Sequence, residues 1–256
     1  MSRFLGLTSI AVLVFTLSGC VTNPFSRVEG SVPEPVVHST AGIYRGELPS
    51  ASGPGRILTL DLRLNGFARF IEDYQREEPF IQDGTWVLDG DLVRSSFLSA
   101  RLVWKIHPEE LRLHLPENQD YGTDGIRLKR VSGPGIVNIQ WEWIKTVTPK
   151  EVFHVDHPEN YTFLVDGNGG LGARLGCNVA GGESLLEYYD PADPGRGSID
   201  LGSIFSTLMY CDDQDIADRF SRELQAAALF FLRDGLLYMD LFADSGTMVF
   251  RPVPFR

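Results

Sequence analysis

The chain has 256 residues, 43% hydrophobic, 11% aromatic and 22% charged. That composition excludes a disordered chain, a collagen or a multi-span membrane protein, and the length suits one large domain or two small ones. With 23 basic against 34 acidic side chains the net charge is −11, which leaves no electrostatic footprint for phosphate backbones. Nucleic acid is therefore not expected as a partner.

Arg3 and Arg27 are the only charged side chains before Glu29. Between them residues 4–17 form an apolar run, shorter than the roughly twenty residues of a membrane-spanning helix. A positive start, a short apolar core and small residues before a cut read as a secretory signal. Leu17-Ser18-Gly19-Cys20 resembles the lipobox of bacterial lipoproteins. The resemblance implies a signal peptide over residues 1–19, cleavage before Cys20, and acylation of Cys20. Multiple acyl chains would then hold the chain on a bilayer. Val21, where aspartate favours inner-membrane retention in enterobacteria, leans the expectation towards the outer membrane, facing the periplasm.

Three cysteines are present: Cys20, Cys177 and Cys211. Lipidating Cys20 leaves an even pair in an oxidising compartment, where a Cys177–Cys211 disulfide is the default. The alternatives are two buried thiols or a zinc site, the latter poorly served by cysteines this far apart without a CxxC.

Residues 20–40, with Pro24, Pro33 and Pro35, read as a tether. Ser132-Gly133-Pro134-Gly135 marks a boundary, so domains are expected at 41–131 and 138–256 with a linker over 132–137. The first carries 12 basic and 14 acidic residues, the second 9 and 18.

In the first region Leu58, Leu60, Leu62 and Leu64 alternate with polar residues, the period of a half-buried strand. Asn65-Gly66 predicts a tight hairpin with positive φ at both turn positions, and residues 67–74 return as its partner. Residues 85–88 and 92–97 flank a second turn, Asp89-Gly90-Asp91. Leu102, Trp104 and Ile106 alternate, as do Leu111, Leu113 and Leu115, and Ile126 with Leu128 closes the series. With Ile43-Tyr44 at the start, this makes about eight short strands, the spacing of an antiparallel meander barrel or sandwich.

Gly42-Ile43-Tyr44-Arg45-Gly46-Glu47-Leu48-Pro49, then Pro54-Gly55, an Asn-Gly turn and Gly84-Thr85-Trp86 resemble the NlpE N-terminal domain family. The resemblance implies a small lipocalin-like barrel on an envelope lipoprotein, linked to copper tolerance and envelope stress. Family members usually carry a CxxC after the Leu-Pro. Here Ser50-Ala51-Ser52-Gly53 stands in that place, so copper binding and thiol chemistry are not expected of it.

In the second region, residues 141–143 and 161–165 read as strands, the latter ended by Asp166-Gly167-Asn168-Gly169-Gly170. Residues 199–202 read as a strand edge. Ile216, Phe220, Leu224 and Ala227 or Ala228 share one helical face, predicting a single clear helix over 212–230. Residues 236–242 and 247–250 read as late strands joined through Asp244-Ser245-Gly246. The order Gly176-Cys177-Asn178, Gly181-Gly182, Thr207-Leu208-Met209-Tyr210-Cys211, helix and closing hairpin resembles a META (HslJ-like) domain. That implies an antiparallel α+β module, exported or lipid-anchored, with no established reaction. A proline-bearing acidic insert around residues 190–196 departs from the pattern.

Candidate chemistry is thin. His154 and His157 with Asp156 suit a solvated loop better than a metal site, since Pro158 follows and no long helix aligns the rings. Asp212, Asp213, Asp215 and Asp218 lack the alternation and closing glutamate of a calcium loop, and are expected to cap the helix start instead. The glycines at 167–170 have no Lys-Ser/Thr behind them and read as a turn. No Gly-x-Ser-x-Gly elbow surrounds Ser18 or Ser245. Trp86, Trp104, Trp141 and Trp143 are expected in the core rather than around a ligand. The expectation is a lipid-anchored envelope protein, mainly β, without catalysis, metal or cofactor, acting in binding or envelope homeostasis through an unidentified envelope protein. The alternatives are a barrel carrying a small hydrophobic ligand and an envelope hydrolase with an unrecognised site.

Overall fold

The computed structural model describes residues 40–49, 53–114 and 126–255. Eight strands come first: β1 (Gly42–Leu48), β2 (Arg56–Leu62), β3 (Phe67–Asp73), β4 (Phe80–Asp89), β5 (Leu92–Phe97), β6 (Arg101–His107), β7 (Glu110–Leu113) and β8 (Arg127–Ser132). Each pairs antiparallel with the next and β8 returns to β1, closing a barrel that has no free edge.

Alternation decides which side chains go inside. Leu58, Leu60 and Leu62 of β2 are buried, and register sets Leu60 opposite Phe70 and Leu62 opposite Ala68. Phe70 lies 5.7 Å from Phe97 and 6.5 Å from Trp104, centroid to centroid, so aromatic rings fill the lumen. The Trp104 Nε1–H donates to Ser95 Oγ at 3.2 Å, and the Ser95 hydroxyl donates to Leu102 O at 3.1 Å. Both interior polar groups are thereby satisfied, as burial demands.

The β2–β3 hairpin differs from the expected tight turn. Arg63 N–H bonds Phe67 O at 2.9 Å and Gly66 N–H bonds Arg63 O at 3.0 Å, so the loop is Leu64-Asn65-Gly66. Gly66 takes φ +84°, whereas Asn65 keeps negative φ. This is the three-residue loop ending in a left-handed glycine. Leu64 is buried, and tucking it inside favours the wider loop.

Eleven strands form a second sheet: β9 (Trp141–Val147), β10 (Val152–His154), β11 (Tyr161–Val165), β12 (Gly170–Leu175), β13 (Asn178–Glu183), β14 (Leu185–Tyr188), β15 (Arg196–Asp200), β16 (Phe205–Ser206), β17 (Ala227–Arg233), β18 (Leu236–Leu241) and β19 (Thr247–Pro252). Their order is β14-β15-β17-β18-β19-β9-β11-β12-β13-β16, with β10 beside β9. β13 and β14 are consecutive in the chain, separated by Ser184, yet stand at or beside opposite ends of this order, so one bent run curls the sheet.

The helix α1 spans Gln214–Gln225, shorter than the expected 212–230. Ala217, Phe220 and Leu224 are its buried face. Phe220 stacks on Trp143 at 5.1 Å, and Phe153 stacks on Trp143 at 5.4 Å. From Ala227 the chain is β17, paired with both β15 and β18, with Phe230 opposite Gly197 on one side and Met239 on the other. A short apolar run carries no period that separates helix from buried strand, and sheet pairing decides it here.

Residues 40–255 all belong to one compact unit, Pro33–Arg256. The Gly133-Pro134-Gly135 break does separate β8 from β9, but the two sheets touch. Phe255 N–H bonds Asn65 O at 2.8 Å and its ring meets Phe67 edge-on at 4.9 Å. Gly133 N–H bonds Ala192 O at 3.0 Å, so the acidic insert packs against the linker.

The candidate site: a clamped apolar loop beside the helix

Gly176 takes φ +66° and turns β12 into β13, leaving Cys177 and Asn178 at the start of the new strand. The Cys177 and Cys211 sulfurs are joined in a disulfide, with Cα atoms 5.9 Å apart. Cys177 is exposed and Cys211 buried. From β16 to Tyr210 the chain buries no side chain: Phe205 is 75%, Leu208 96% and Tyr210 88% exposed.

Asn178 holds this loop. Its Oδ1 accepts from Met209 N–H at 2.8 Å and from the Thr207 hydroxyl at 2.7 Å. Its Nδ2–H₂ donates to Met209 O at 2.9 Å and towards Cys211 Sγ at 3.3 Å. One carboxamide thus serves both peptide groups of Met209, doing the work of an absent neighbouring strand. Aspartate at this position would lack the donor and leave Met209 O unpaired. Thr207 N–H continues the ladder to Val179 O at 3.0 Å. The side chain of Asn178 is buried, so satisfying it fully matters energetically.

A groove of about 350 Å³ lies between this loop and α1. Leu175 and Ala217 contribute apolar side chains to it, Ser206 through Tyr210 form one wall, and Gln214, Asp218 and Ser221 form the other. Positions 214, 217, 218 and 221 share one helix face by the three–four spacing. Among the described residues Asp218 is the only charged one lining the groove. The Gln214 amide donates to its carboxylate at 2.7 Å.

Behind the disulfide, the Tyr161 hydroxyl donates to Asp213. Burial, reinforced by that carboxylate, pushes the Tyr161 phenol well above its ordinary range. Asp213 therefore does not cap the helix with its side chain as expected; its main-chain carbonyl accepts from Ile216 and Ala217 N–H instead. Tyr161 wins the carboxylate because its buried hydroxyl needs an acceptor.

The other sequence candidates fall elsewhere. Cys20 and residues 50–52 lie outside the described residues. His154 ends β10 facing solvent, and the exposed His157 bonds Glu159 at 3.2 Å, so the two do not form a cluster. Among the described residues no three His, Cys, Asp or Glu groups converge for a metal. Asp166 turns β11 into β12, accepting from Asn168 N–H at 2.7 Å and Gly170 N–H at 2.8 Å, and those N–H groups hold its carboxyl below the usual range. All four tryptophans are buried. Sequence reasoning assigned Cys177 and Cys211 but no role to Asn178, Thr207 or Leu208. The available signal was an Asn directly after one half-cystine, Cys177, and the apolar Leu208-Met209-Tyr210 directly before the other, Cys211.

No protein-family model matches the chain, and no curated protein matches its sequence. Among solved structures it is similar to a Shewanella oneidensis protein assigned as a lipoprotein, at 23% identity over 35% of this chain and 87% of that one, TM-score 0.28. A DUF4847 family protein from Bacteroides vulgatus matches at 9% identity over 45% and 93%, TM-score 0.33. NlpE, the Cpx pathway activator of Escherichia coli, matches at 18% identity over 57% and 86%, TM-score 0.29. Overlaps this loose assign no function to this chain.

Proposed function

We propose that the chain is a lipid-anchored envelope protein, acylated at Cys20, that acts by binding rather than by catalysis. In this reading residues 41–131 form an NlpE-like barrel domain, and residues 138–256 a META-like domain that carries the binding surface beyond it, on the periplasmic side of the outer membrane. The observation that carries it is the clamp: a buried asparagine and a disulfide hold a loop whose Leu208 and Tyr210 point into solvent. Exposed apolar side chains on a held backbone suit recognition, because the backbone has little entropy left to lose on binding. The polar groups around them are engaged in holding the fold: the Asn178 amide bonds the main chain of Met209, and the Tyr161 hydroxyl bonds the Asp213 carboxylate. In the barrel, Phe70, Phe97 and Trp104 occupy the lumen that a carried ligand would need, which favours binding at the loop over transport inside the barrel.

The test combines anchor and surface. Labelled palmitate should enter the wild-type chain and not Cys20→Ser, which should leave the membrane fraction. A photo-crosslinking residue at position 210 should give a discrete adduct in intact cells, lost when Leu208 is changed to Ser. Palmitate incorporation persisting in Cys20→Ser would end the anchor reading; no adduct from position 210 would end the binding reading.

A further inference from the structure

The loop that the clamp holds is also the outer end of a sheet. β16 stands last in the strand order, beside β13. Thr207 N–H bonds Val179 O, so Thr207 faces inward. Antiparallel ladders alternate, which turns the peptide groups of Ser206 and Leu208 the other way, off the sheet. Met209 again faces inward, towards Asn178. The edge is thus tied inward at Thr207 and Met209, and the alternation leaves the N–H and C=O of Ser206 and Leu208 offered outward. Exposed edges of this kind are templates for another strand.

The groove described above runs between this edge and α1. Strand edge, apolar Leu175 and Ala217, and helix wall together make the shape in which an extended segment adds a strand and drops alternate side chains against a helix. Charge chooses among segments. Among the described residues Asp218 is the only charged group lining the groove, and its side chain is exposed. A basic side chain entering here finds a carboxylate, whereas an acidic one meets repulsion.

We propose that this groove takes an extended segment of a partner protein, paired to the Phe205–Tyr210 edge, with a lysine or arginine beside Asp218 and apolar side chains on Leu175 and Ala217. This rests on the binding reading above and narrows it to a basic, apolar peptide.

The probe is a fluorescent, N-acetylated peptide Ser-Val-Lys-Val-Lys-Val-Ser, titrated into the purified full chain and followed by anisotropy, with the same peptide carrying Glu for Lys as its counterpart. Saturable binding of the lysine peptide is expected, with amide shifts at Ser206 and Leu208 and no binding of the glutamate peptide. Asp218→Lys should weaken it about tenfold, the effect of one charge-assisted contact. Leu208→Pro removes an outward N–H while sparing the bonds to Val179 and Asn178, and should abolish it; Pro is tolerated on edge strands. Because Asp218→Lys changes an exposed side chain, it tests the idea even where Leu208→Pro fails to fold. No saturable binding, equal binding of both peptides, or affinity unmoved by Asp218→Lys overturns the proposal. So does a dimer in sedimentation equilibrium that Leu208→Pro dissolves, since a second copy would then cover the edge. A cross-link from position 210 that persists while the lysine peptide fails would sink this inference and leave the binding reading standing.

Discussion

The barrel and the sheet that follows it solve the same problem differently. In the barrel every strand pairs with its chain neighbour, so local turns set the register and closure covers every edge. In the second sheet β9 pairs with β19, β15 with β17 and β13 with β16, all distant in sequence. That sheet has ends, and at one of them the chain uses a disulfide and a buried carboxamide where the barrel uses another strand. Closure makes a region self-sufficient; an open end needs a clamp and leaves a surface on which something else can act.

The largest effect that would break this contrast lies in the barrel. Trp104→Ala empties the middle of the lumen and should cost about 3–5 kcal/mol. Denaturant unfolding followed by far-UV circular dichroism should show the loss. If the second sheet unfolds in the same transition, the Phe67–Phe255 contact couples the two regions; separate transitions would make them independent domains.

The disulfide comes next. Cys177 and Cys211 enclose a loop of 33 residues, and on the chain-entropy model losing the bridge costs about 3–4 kcal/mol. The Cys177→Ala, Cys211→Ala pair should lower the thermal midpoint of the second sheet and not of the barrel. An unmoved midpoint would remove the clamp from the argument. Asn178→Ala should cost about 2 kcal/mol, because Met209 loses partners on both of its peptide groups. Amide exchange at Met209 and Thr207 should accelerate while exchange in β2 and β3 stays unchanged.

A smaller effect sharpens the contrast on the barrel side. Burial raises the Asp61 carboxyl above its ordinary pKa, an increase that Arg63 at 3.0 Å only partly offsets. A folded pKa above the unfolded one means that the stability this group contributes is fully present below the unfolded value, about 3.9. It is lost as pH rises through the folded value. A carboxyl-carbon titration of Asp61 should give a midpoint above that of an unfolded peptide, and Asp61→Asn should flatten the fall in stability across that window. The smallest effect is expected at the exposed loop. Changing Leu208 and Tyr210 together to Ser should move stability by no more than about 0.5 kcal/mol while removing any partner.

Much of the barrel was legible. Alternation at Leu58, Leu60 and Leu62, and at Leu111 and Leu113, reads directly as strands, because a period of two has few competing explanations. β5 and β11 stand where the pattern places them, over Leu92–Phe97 and Tyr161–Val165. The second sheet was less so. β13 holds Gly181 and Gly182, and β16 has two residues, so neither carries a period of its own. Of the candidate site, the paired cysteines could be read from their count, whereas Asn178 is one polar residue whose task depends on the peptide group of Met209, thirty-one positions away.

Local pattern along the chain specifies a mainly β protein, an eight-strand meander, a single helix and a pair of cysteines suited to a bridge. These depend on near neighbours, through alternation, turn glycines and helical spacing. Long-range contacts settle that residues 227–233 are a strand, that the Asp213 side chain serves Tyr161 and not the helix start, and that Leu208 stands on an open edge. Each of those turns on which distant group arrives at an unsatisfied backbone or side chain. A hydrogen bond has no sequence signature when its partner is set by sheet order, and β16 meets β13 only after the chain between them has left the sheet's end and returned.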